Sequence, residues 1–222
     1  MLKFIDISNW QAGFDPATAP VDGVICKATE GLNYVDPHCD GFIQKARGAG
    51  KLWGFYHFAG AGDPIAEADY FYKNTKNYAG EGVPVLDWEG QQSVNWVNQF
   101  VRQYHNLTKV WPWIYANPWR FNQGGVESNC ARWVASYPAV TAPTHDTAAG
   151  WKCPGADGNV VAWQFASDCP VGGWKLDGDL FYGDAPAWNA YARGGRSIVD
   201  DVAANISAFE NESVKVTVEV KK

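Results

Sequence analysis

Two carboxylates stand one residue apart at the end of a short apolar run, Val83-Pro84-Val85-Leu86-Asp87-Trp88-Glu89. The apolar residues predict a buried strand. Because alternate side chains of a strand share a face, Asp87 and Glu89 should project the same way while Trp88 points away. Two such carboxyl groups can have their pKa values driven apart, so that one donates a proton while the other stays charged. That pair is the minimum needed to cleave a glycosidic bond, although an isolated Asp-x-Glu is also found as two solvated acids.

Apolar runs of strand length recur along the whole chain. Besides the run above, strands are predicted at residues 4–7, 23–28, 52–58, 111–115, 131–135, 160–165 and 176–181. Helical patterns follow Asp36-Pro37 and Asp63-Pro64 and begin again at Ser93. The alternation predicts parallel strands joined by helical crossovers. The fold class we predict is α/β, an irregular TIM-like β/α barrel with about eight strands and an incomplete ring of helices.

Two further expectations follow from this strand assignment. Pro112 lies inside the strand predicted at 111–115, which indicates an irregular or edge position. In such barrels the active site lies at the C-terminal ends of the strands. Asp87 and Glu89 end one strand, Glu30 follows another, and Tyr56 ends a third, so all four should meet at the barrel mouth.

Composition limits the classes of function. The 222 residues carry a formal net charge of −6, with no cluster of Lys and Arg, which argues against a nucleic-acid partner. No apolar run approaches the roughly 20 residues of a transmembrane helix. The chain has 12 Trp, 10 Tyr and 11 Phe, which suit both a packed core and a groove that stacks on sugar rings.

Cysteine and histidine spacing predicts neither a metal site nor a bound cofactor. The four histidines are scattered without ligand spacing, and the five cysteines form no C-x-x-C pair. A Cys153–Cys169 disulfide is conceivable, but we expect reduced thiols. We interpret His57 as a hydrogen-bonded core histidine rather than a catalyst.

The last stretch of the chain differs from the rest. Apolar residues repeat at helical spacing from Ile198 to Phe209, and residues 214–221 alternate strictly between valine and polar residues. We predict that residues 1–193 form one catalytic barrel and that residues 194–222 are a C-terminal extension, a linker or the start of a further module.

Seven short stretches in a fixed order together resemble the family 25 glycoside hydrolases, the muramidases found among phage endolysins and bacterial autolysins. Each stretch alone is a weak signal, and the match runs from residue 4 to about residue 192. The matching stretches are Phe4-Ile5-Asp6-Ile7-Ser8-Asn9-Trp10-Gln11, Ile25-Cys26-Lys27-Ala28-Thr29-Glu30-Gly31, Tyr34-Val35-Asp36-Pro37, Gly54-Phe55-Tyr56-His57-Phe58, Val85-Leu86-Asp87-Trp88-Glu89, Ala162-Trp163-Gln164-Phe165 and Leu176-Asp177-Gly178-Asp179-Leu180-Phe181.

The resemblance implies four catalytic acids, which are Asp6, Asp87, Glu89 and Asp177. Glu89 would be the general acid, kept protonated by neighbouring carboxylates and partial burial. The assignment of Asp177 as a catalytic acid has an alternative. The family usually has an apolar residue and then an asparagine after this aspartate, where this chain has Gly178 and Asp179. Asp179 shares a strand face with Asp177 and could take the role.

Five more residues at strand ends are predicted to bind substrate. Alternatively, Lys27 only forms an ion pair with an acid, and Glu30 only caps a loop. The three aromatic residues could instead pack in the core. The predicted substrate-binding residues are Lys27, Glu30, Tyr56, Tyr115 and Trp163.

The function implied by the resemblance is hydrolysis of the β-1,4 bond between N-acetylmuramic acid and N-acetylglucosamine in peptidoglycan glycan strands, in phage-type cell lysis. The alternatives are a chitinase-like glycosidase and a non-catalytic wall-binding lectin on the same barrel. Residues 1–5 run directly into a polar stretch and do not resemble a secretory signal. We therefore expect the protein to remain in the host cytoplasm until it is released to the wall, or to be exported in another way.

Overall fold

The computed structural model describes residues 1–195. Nine strands form one sheet in this part of the chain. They are β1 (Leu2–Ile7), β2 (Gly23–Glu30), β3 (Tyr34–Val35), β4 (Leu52–Phe58), β5 (Val83–Asp87), β6 (Trp113–Ala116), β7 (Arg132–Ala135), β8 (Val160–Val171) and β9 (Trp174–Phe181).

Eight of these strands close into a barrel. The order is β1-β9-β8-β7-β6-β5-β4-β2, and a parallel pairing of β1 with β2 completes the ring, while β3 adds a two-residue hairpin partner to β2. Successive neighbours from β1 through β8 are parallel. β9 runs antiparallel to both of its neighbours, β8 and β1. The predicted fold class is therefore confirmed, with a mixed barrel of eight strands.

Six helices accompany the barrel in residues 1–195. They are α1 (Cys39–Gly48), α2 (Pro64–Thr75), α3 (Val94–Thr108), α4 (Pro118–Phe121), α5 (His145–Ala149) and α6 (Ala185–Ala192). The three long crossover helices, α1 to α3, lie in the first half, as predicted. Two of them begin at side-chain caps, because Asp63 Oδ1 accepts from Ala66 N at 2.9 Å and Ser93 Oγ accepts from Trp96 N at 3.2 Å.

One expectation about the strands is wrong. The strand predicted at residues 111–115 begins only at Trp113, after the proline, so Pro112 removes no hydrogen bond from the ladder. This strand, β6, pairs with β5 on one side and β7 on the other, and is therefore not an edge.

The core lies in two layers, one outside and one inside the barrel. The outer layer packs α1, α2 and α3 against the strands through residues such as Ile43, Phe71 and Phe100. The inner layer fills the barrel and is closed at one end by Trp188 of α6. The helical and alternating patterns predicted for residues 198–221 lie outside the described residues and stay predictions, as does the domain boundary at residue 193.

Candidate active site

A cleft of about 700 Å³ opens at the C-terminal ends of the parallel strands. All four predicted catalytic acids line it, namely Asp6, Asp87, Glu89 and Asp177. Six aromatic side chains also line it: Trp10, Tyr56, Phe58, Tyr115, Trp133 and Tyr137. The cleft therefore combines carboxyl groups with flat apolar faces, the combination that suits a sugar substrate.

Asp6 is held at the cleft floor by strand register. It lies near the end of β1, directly opposite Asp177 of β9 in the antiparallel pairing. Its Oδ2 accepts a hydrogen bond from Gln164 Nε2 at 2.6 Å. Burial raises the pKa of Asp6 well above its ordinary value, and the charge of Asp177 raises it further.

Gln164 is a site residue that the sequence reasoning missed. While its amide nitrogen holds Asp6, its Oε1 accepts hydrogen bonds from Tyr115 OH at 2.6 Å and from Tyr137 OH. Two aromatic side chains of the cleft wall are thereby tied to a catalytic acid. Gln164 is buried, so these hydrogen bonds hold its side chain in one orientation at the floor of the cleft.

Trp163, predicted to bind substrate, does not line the cleft. It precedes Gln164 on β8, and successive side chains of a strand point to opposite faces. Trp163 consequently lies in the outer core, 1% exposed, with Nε1 donating to Ser136 O at 2.8 Å. The alternation of side chains along β8 was the signal that could have assigned Gln164, and not Trp163, to the cleft.

Asp87 and Glu89 face the same cleft, as the Asp-x-Glu spacing predicts, but their burial differs. Asp87 ends β5 and is 7% exposed, whereas Glu89 lies beyond the strand and is exposed. The expected partial burial of Glu89 is therefore wrong, because β5 ends two residues before it. Burial raises the pKa of Asp87 well above its ordinary value, and the charge and hydrogen bond of Glu89 add to this effect.

The structure separates Asp177 from its rival Asp179. Because β9 is antiparallel, its N-terminal half lies at the barrel mouth, and Asp177 lines the cleft. Burial and the charge of Glu89 raise the pKa of Asp177 to about 6. Asp179 lies one pleat deeper and is fully buried, with Oδ1 accepting from Trp133 Nε1 at 2.9 Å. Asp177 is thus the aspartate that a substrate in the cleft can reach.

Asp179 is a buried carboxyl group beneath the cleft. Burial raises its pKa well above the ordinary value, and the neighbouring Asp6 raises it further through charge and a hydrogen bond. A protonated Asp179 donates to Asp6 and accepts from Trp133. An asparagine side chain could make the same two contacts, since it also carries a donor and an acceptor.

Lys27 and Glu30 have different positions. Lys27 lines the cleft, and its Nζ lies 2.5 Å from Glu30 Oε2 and 4.8 Å from the ring centroid of Phe58. Glu30 is not a lining residue, and it holds the ammonium group of Lys27 in place. Tyr56 and Tyr115 both line the cleft, where the prediction placed them.

His57 is a core histidine, as interpreted from the sequence. Its Nδ1 lies 2.8 Å from Thr29 Oγ1 and its Nε2 lies 3.1 Å from Glu67 Oε2. The side chain is fully buried, and burial lowers its pKa. Glu67 also accepts from the backbone N–H groups of Gly60 and Gly62, so this network braces the loop after β4.

The five cysteines are all unpaired, so the Cys153–Cys169 disulfide is not formed. Within residues 1–195 there is no group of three or more His, Cys, Asp or Glu side chains arranged to hold a metal ion. The helices in the same range are all too short or too polar to cross a bilayer.

Comparison with known proteins agrees with this geometry. The sequence profile of the glycosyl hydrolases family 25 matches residues 5–174. The chain belongs to glycoside hydrolase family 25. An N,O-diacetylmuramidase from Chalaropsis sp is 31% identical over 194 residues, covering 76% of this chain and 89% of that protein.

Two further relatives extend the comparison. An autolytic lysozyme from Clostridium acetobutylicum is 28% identical over 189 residues, and the match covers 81% of this chain but 55% of that relative's length. The solved structure of a bacterial lysozyme from Streptomyces coelicolor superposes with a TM-score of 0.71 at 27% identity, covering 88% of this chain and 98% of the other.

This member of family 25 departs from the expected pattern after Asp177, and the structure gives a physical reason at one position. A Cβ atom on Gly178 would lie 2.6 Å from Cys169 Cβ and 2.7 Å from Phe165 Cζ. An apolar side chain therefore does not fit there unless β8 moves. At the next position Asp179, once protonated, can replace the hydrogen bonds of the expected asparagine.

Proposed function

We propose that this family 25 chain hydrolyses the β-1,4 bond between N-acetylmuramic acid and N-acetylglucosamine in peptidoglycan. The observation that carries the proposal is the convergence of Asp6, Asp87, Glu89 and Asp177 on one open cleft. Four carboxyl groups that repel one another are costly to hold in a partly dry site without a function. The lysozyme and muramidase relatives support the choice of substrate.

Glu89 is the general acid in this proposal. It is the exposed member of the Asp87/Glu89 pair and can reach the glycosidic oxygen of a bound strand. Burial and the charge of Glu89 raise the pKa of Asp87 well above its ordinary value, so its carboxyl group favours the protonated form and is the source of the proton for Glu89 in this proposal. Glu89 passes that proton to the leaving oxygen while positive charge develops on the sugar.

An ionised carboxylate must then stabilise the developing charge, and Asp177 or Asp87 can take this role. Asp177 is charged above about pH 6. The carboxylate orients either the acetamido group of the substrate or a water molecule for attack. Asp6, tied to Gln164 and opposite Asp177, raises the pKa of Asp87 through its charge.

The aromatic walls bind the sugar rings. Tyr56 and Tyr115 lie beside the acids, and Trp10 stands at the rim with 84% of its surface exposed. An exposed tryptophan next to a cleft offers a stacking face for a sugar ring. Lys27, oriented by Glu30, supplies a positive charge inside an otherwise acidic site.

The test is mass spectrometry of the reducing ends released from purified peptidoglycan. Muramic acid ends are expected, and glucosamine ends would reject the proposed cleavage site. Release of sugar from chitin but not from peptidoglycan would favour the chitinase-like alternative. Binding to cell walls without any release would favour the lectin alternative.

We further propose a role in phage-type cell lysis, in which the enzyme acts from the host cytoplasm after release to the wall. Its support is the peptidoglycan substrate proposed above. Expression inside a bacterial host with and without a membrane-permeabilising partner checks this point, since lysis is expected only when the partner gives access to the wall.

A further inference from the structure

A second pocket lies directly beside the catalytic cleft. It has a volume of about 570 Å³ and shares Glu89, Tyr115 and Tyr137 with the cleft, so that Glu89 stands between the two. The second pocket therefore adjoins the cleft at Glu89, the residue that the proposed function places at the glycosidic bond. The far side of the pocket is formed by Arg120 and its neighbours.

Arg120 is held in a fixed orientation in this pocket. It lies on α4, where Asn117 Oδ1 accepts from its backbone nitrogen at 3.1 Å. The guanidinium Nη2 donates to Glu89 O at 2.5 Å, and its central carbon lies 5.1 Å from the ring centroid of Trp88. Stacking on an aromatic face and a carbonyl contact orient the planar group before any ligand arrives.

The charge of Arg120 is not compensated by a nearby acid. In the part of the chain that the structure describes, no carboxylate oxygen lies within 4.0 Å of its guanidinium nitrogens. Lys27, the cation of the catalytic cleft, is by contrast paired with Glu30. A guanidinium group has five N–H donors. Within residues 1–195, the backbone oxygen of Glu89 is the one hydrogen-bond acceptor that the guanidinium group of Arg120 contacts.

The two pockets therefore differ in the charge that they accept. The catalytic cleft is lined by four acids, and an anionic group entering it would be repelled. The second pocket has Glu89 as its only lining acid among the described residues, and it has the free charge of Arg120. The planar fork of an arginine binds carboxylates in a two-pronged contact.

We propose that this second pocket binds a carboxylate of the peptide stems carried by the glycan, with Arg120 as the specificity-determining residue. The inference rests on the proposed function for its substrate class. The glycan of peptidoglycan carries peptides with free carboxylates on its muramic acid units, whereas chitin carries none. Arg120 thus favours strands with peptide stems over bare polymers of N-acetylglucosamine.

The experiment measures binding separately from cleavage. Soluble glycan strands with intact peptide stems are compared with the same strands after carbodiimide amidation of their carboxylates. Calorimetry is done on the Glu89→Gln variant, which holds substrate without turnover, with and without Arg120→Gln. Adding Arg120→Gln is expected to weaken binding of the native strands roughly 10- to 100-fold, which is typical of a hydrogen bond to a charged group, and to leave the amidated strands unchanged.

A matched control variant is Arg47→Gln. Arg47 also lies over a tryptophan, 5.5 Å from the ring centroid of Trp53, but outside both pockets. It should not change binding of either substrate. In the background with native Glu89, Arg120→Gln should raise KM for the native strands and change kcat little.

Two results would overturn the inference. Equal weakening on native and amidated strands would show that Arg120 only supports the backbone of Glu89, and unchanged binding of native strands would show that it contacts no carboxylate. Failure of the proposed function can be distinguished from failure of this inference. A chain that binds strands but releases no reducing ends would still show by calorimetry whether Arg120→Gln weakens binding of native strands more than that of amidated strands.

Discussion

The two ends of the barrel interior have opposite chemistry although the same strands build both. At the mouth, β1 and β9 present the carboxyl groups of Asp6 and Asp177, and Asp179 lies just beneath them. At the other end the same two strands present Phe4 and Phe181, which pack with Trp113 and Trp188. In β1 one step of the pleat, from Phe4 to Asp6, separates the aromatic end from the acidic end.

Trp133 joins the two ends. Its ring lies 5.4 Å from that of Phe4 and 4.8 Å from that of Tyr115, while its Nε1 donates to Asp179 Oδ1. The comparison indicates that apolar burial at the closed end supplies stability that the acidic end lacks. Variants at the mouth should therefore change activity, and variants at the closed end should change the free energy of unfolding.

The largest effect is expected for Glu89→Gln at the mouth. The amide keeps the shape of the side chain and removes its proton, so kcat for cell-wall clearing should fall by about 10²–10⁴-fold. The melting temperature should not fall, because the side chain is exposed and its charge repels the neighbouring acids. Turbidity clearing and thermal unfolding measure the two quantities. Glu81→Gln, an exposed glutamate paired with Arg47, is the control, and near wild-type clearing by Glu89→Gln would refute the assignment.

At the closed end we expect Trp188→Ala to lower the free energy of unfolding by about 3–5 kcal/mol. Trp188 is 1% exposed, its ring lies 5.3 Å from each of the rings of Phe4, Trp113 and Phe181, and its Nε1 donates to Trp53 O at 3.1 Å. Chemical denaturation measures the loss. Trp119→Ala is the matched control, because Trp119 is 69% exposed and should change stability by less than about 0.5 kcal/mol.

The third prediction compares the two aspartates of β9. Asp177→Asn should lower kcat strongly, because it removes a charge from the cleft, whereas Asp179→Asn should keep activity within roughly tenfold of wild type. The amide at 179 retains a donor for Asp6 and an acceptor for Trp133. Steady-state rates on soluble glycan strands measure both. Greater loss for Asp179→Asn than for Asp177→Asn would exchange the roles assigned to them.

Asp179→Asn should also change how stability depends on pH. The folded-state pKa of Asp179 is raised, so its stabilising contribution is complete below the unfolded value near 3.9 and is lost as pH rises toward the folded value. The amide does not titrate. The variant should therefore gain stability relative to wild type as pH rises above about 4, as measured by urea unfolding over a range of pH values. A constant difference across this range would show that Asp179 has an ordinary pKa in the folded chain.

Much of this arrangement was predictable because it depends on local patterns. The alternation of strands and helices through residue 108 predicted the parallel part of the barrel, and the Asp-x-Glu spacing placed Asp87 and Glu89 in one cleft. The reversal of β9 was missed, although Gly172-Gly173 joins β8 to β9 with positive φ at both residues, as a two-residue hairpin requires.

Other site features depend on contacts between distant parts of the chain. Gln164 faces Asp6 across 158 positions of sequence, and the register of β8 changes just beyond it. Arg120 reaches Glu89 from a four-residue helix that has no periodic signal. Asp87 is buried and Glu89 is exposed because β5 ends between them. The position at which a strand ends is poorly specified by local sequence.

The smallest expected effect is a change in the pKa of Asp177 when Glu89→Gln removes the neighbouring charge. Burial is the larger cause of its raised pKa of about 6, and the charge of Glu89 is the second cause. In Glu89→Gln the pKa of Asp177 should therefore fall but stay above 3.8, because the desolvation remains. Carbon-13 NMR of labelled aspartate carboxyl groups measures it, with Glu81→Gln as control. An unchanged value would mean that the charge of Glu89 does not act on Asp177.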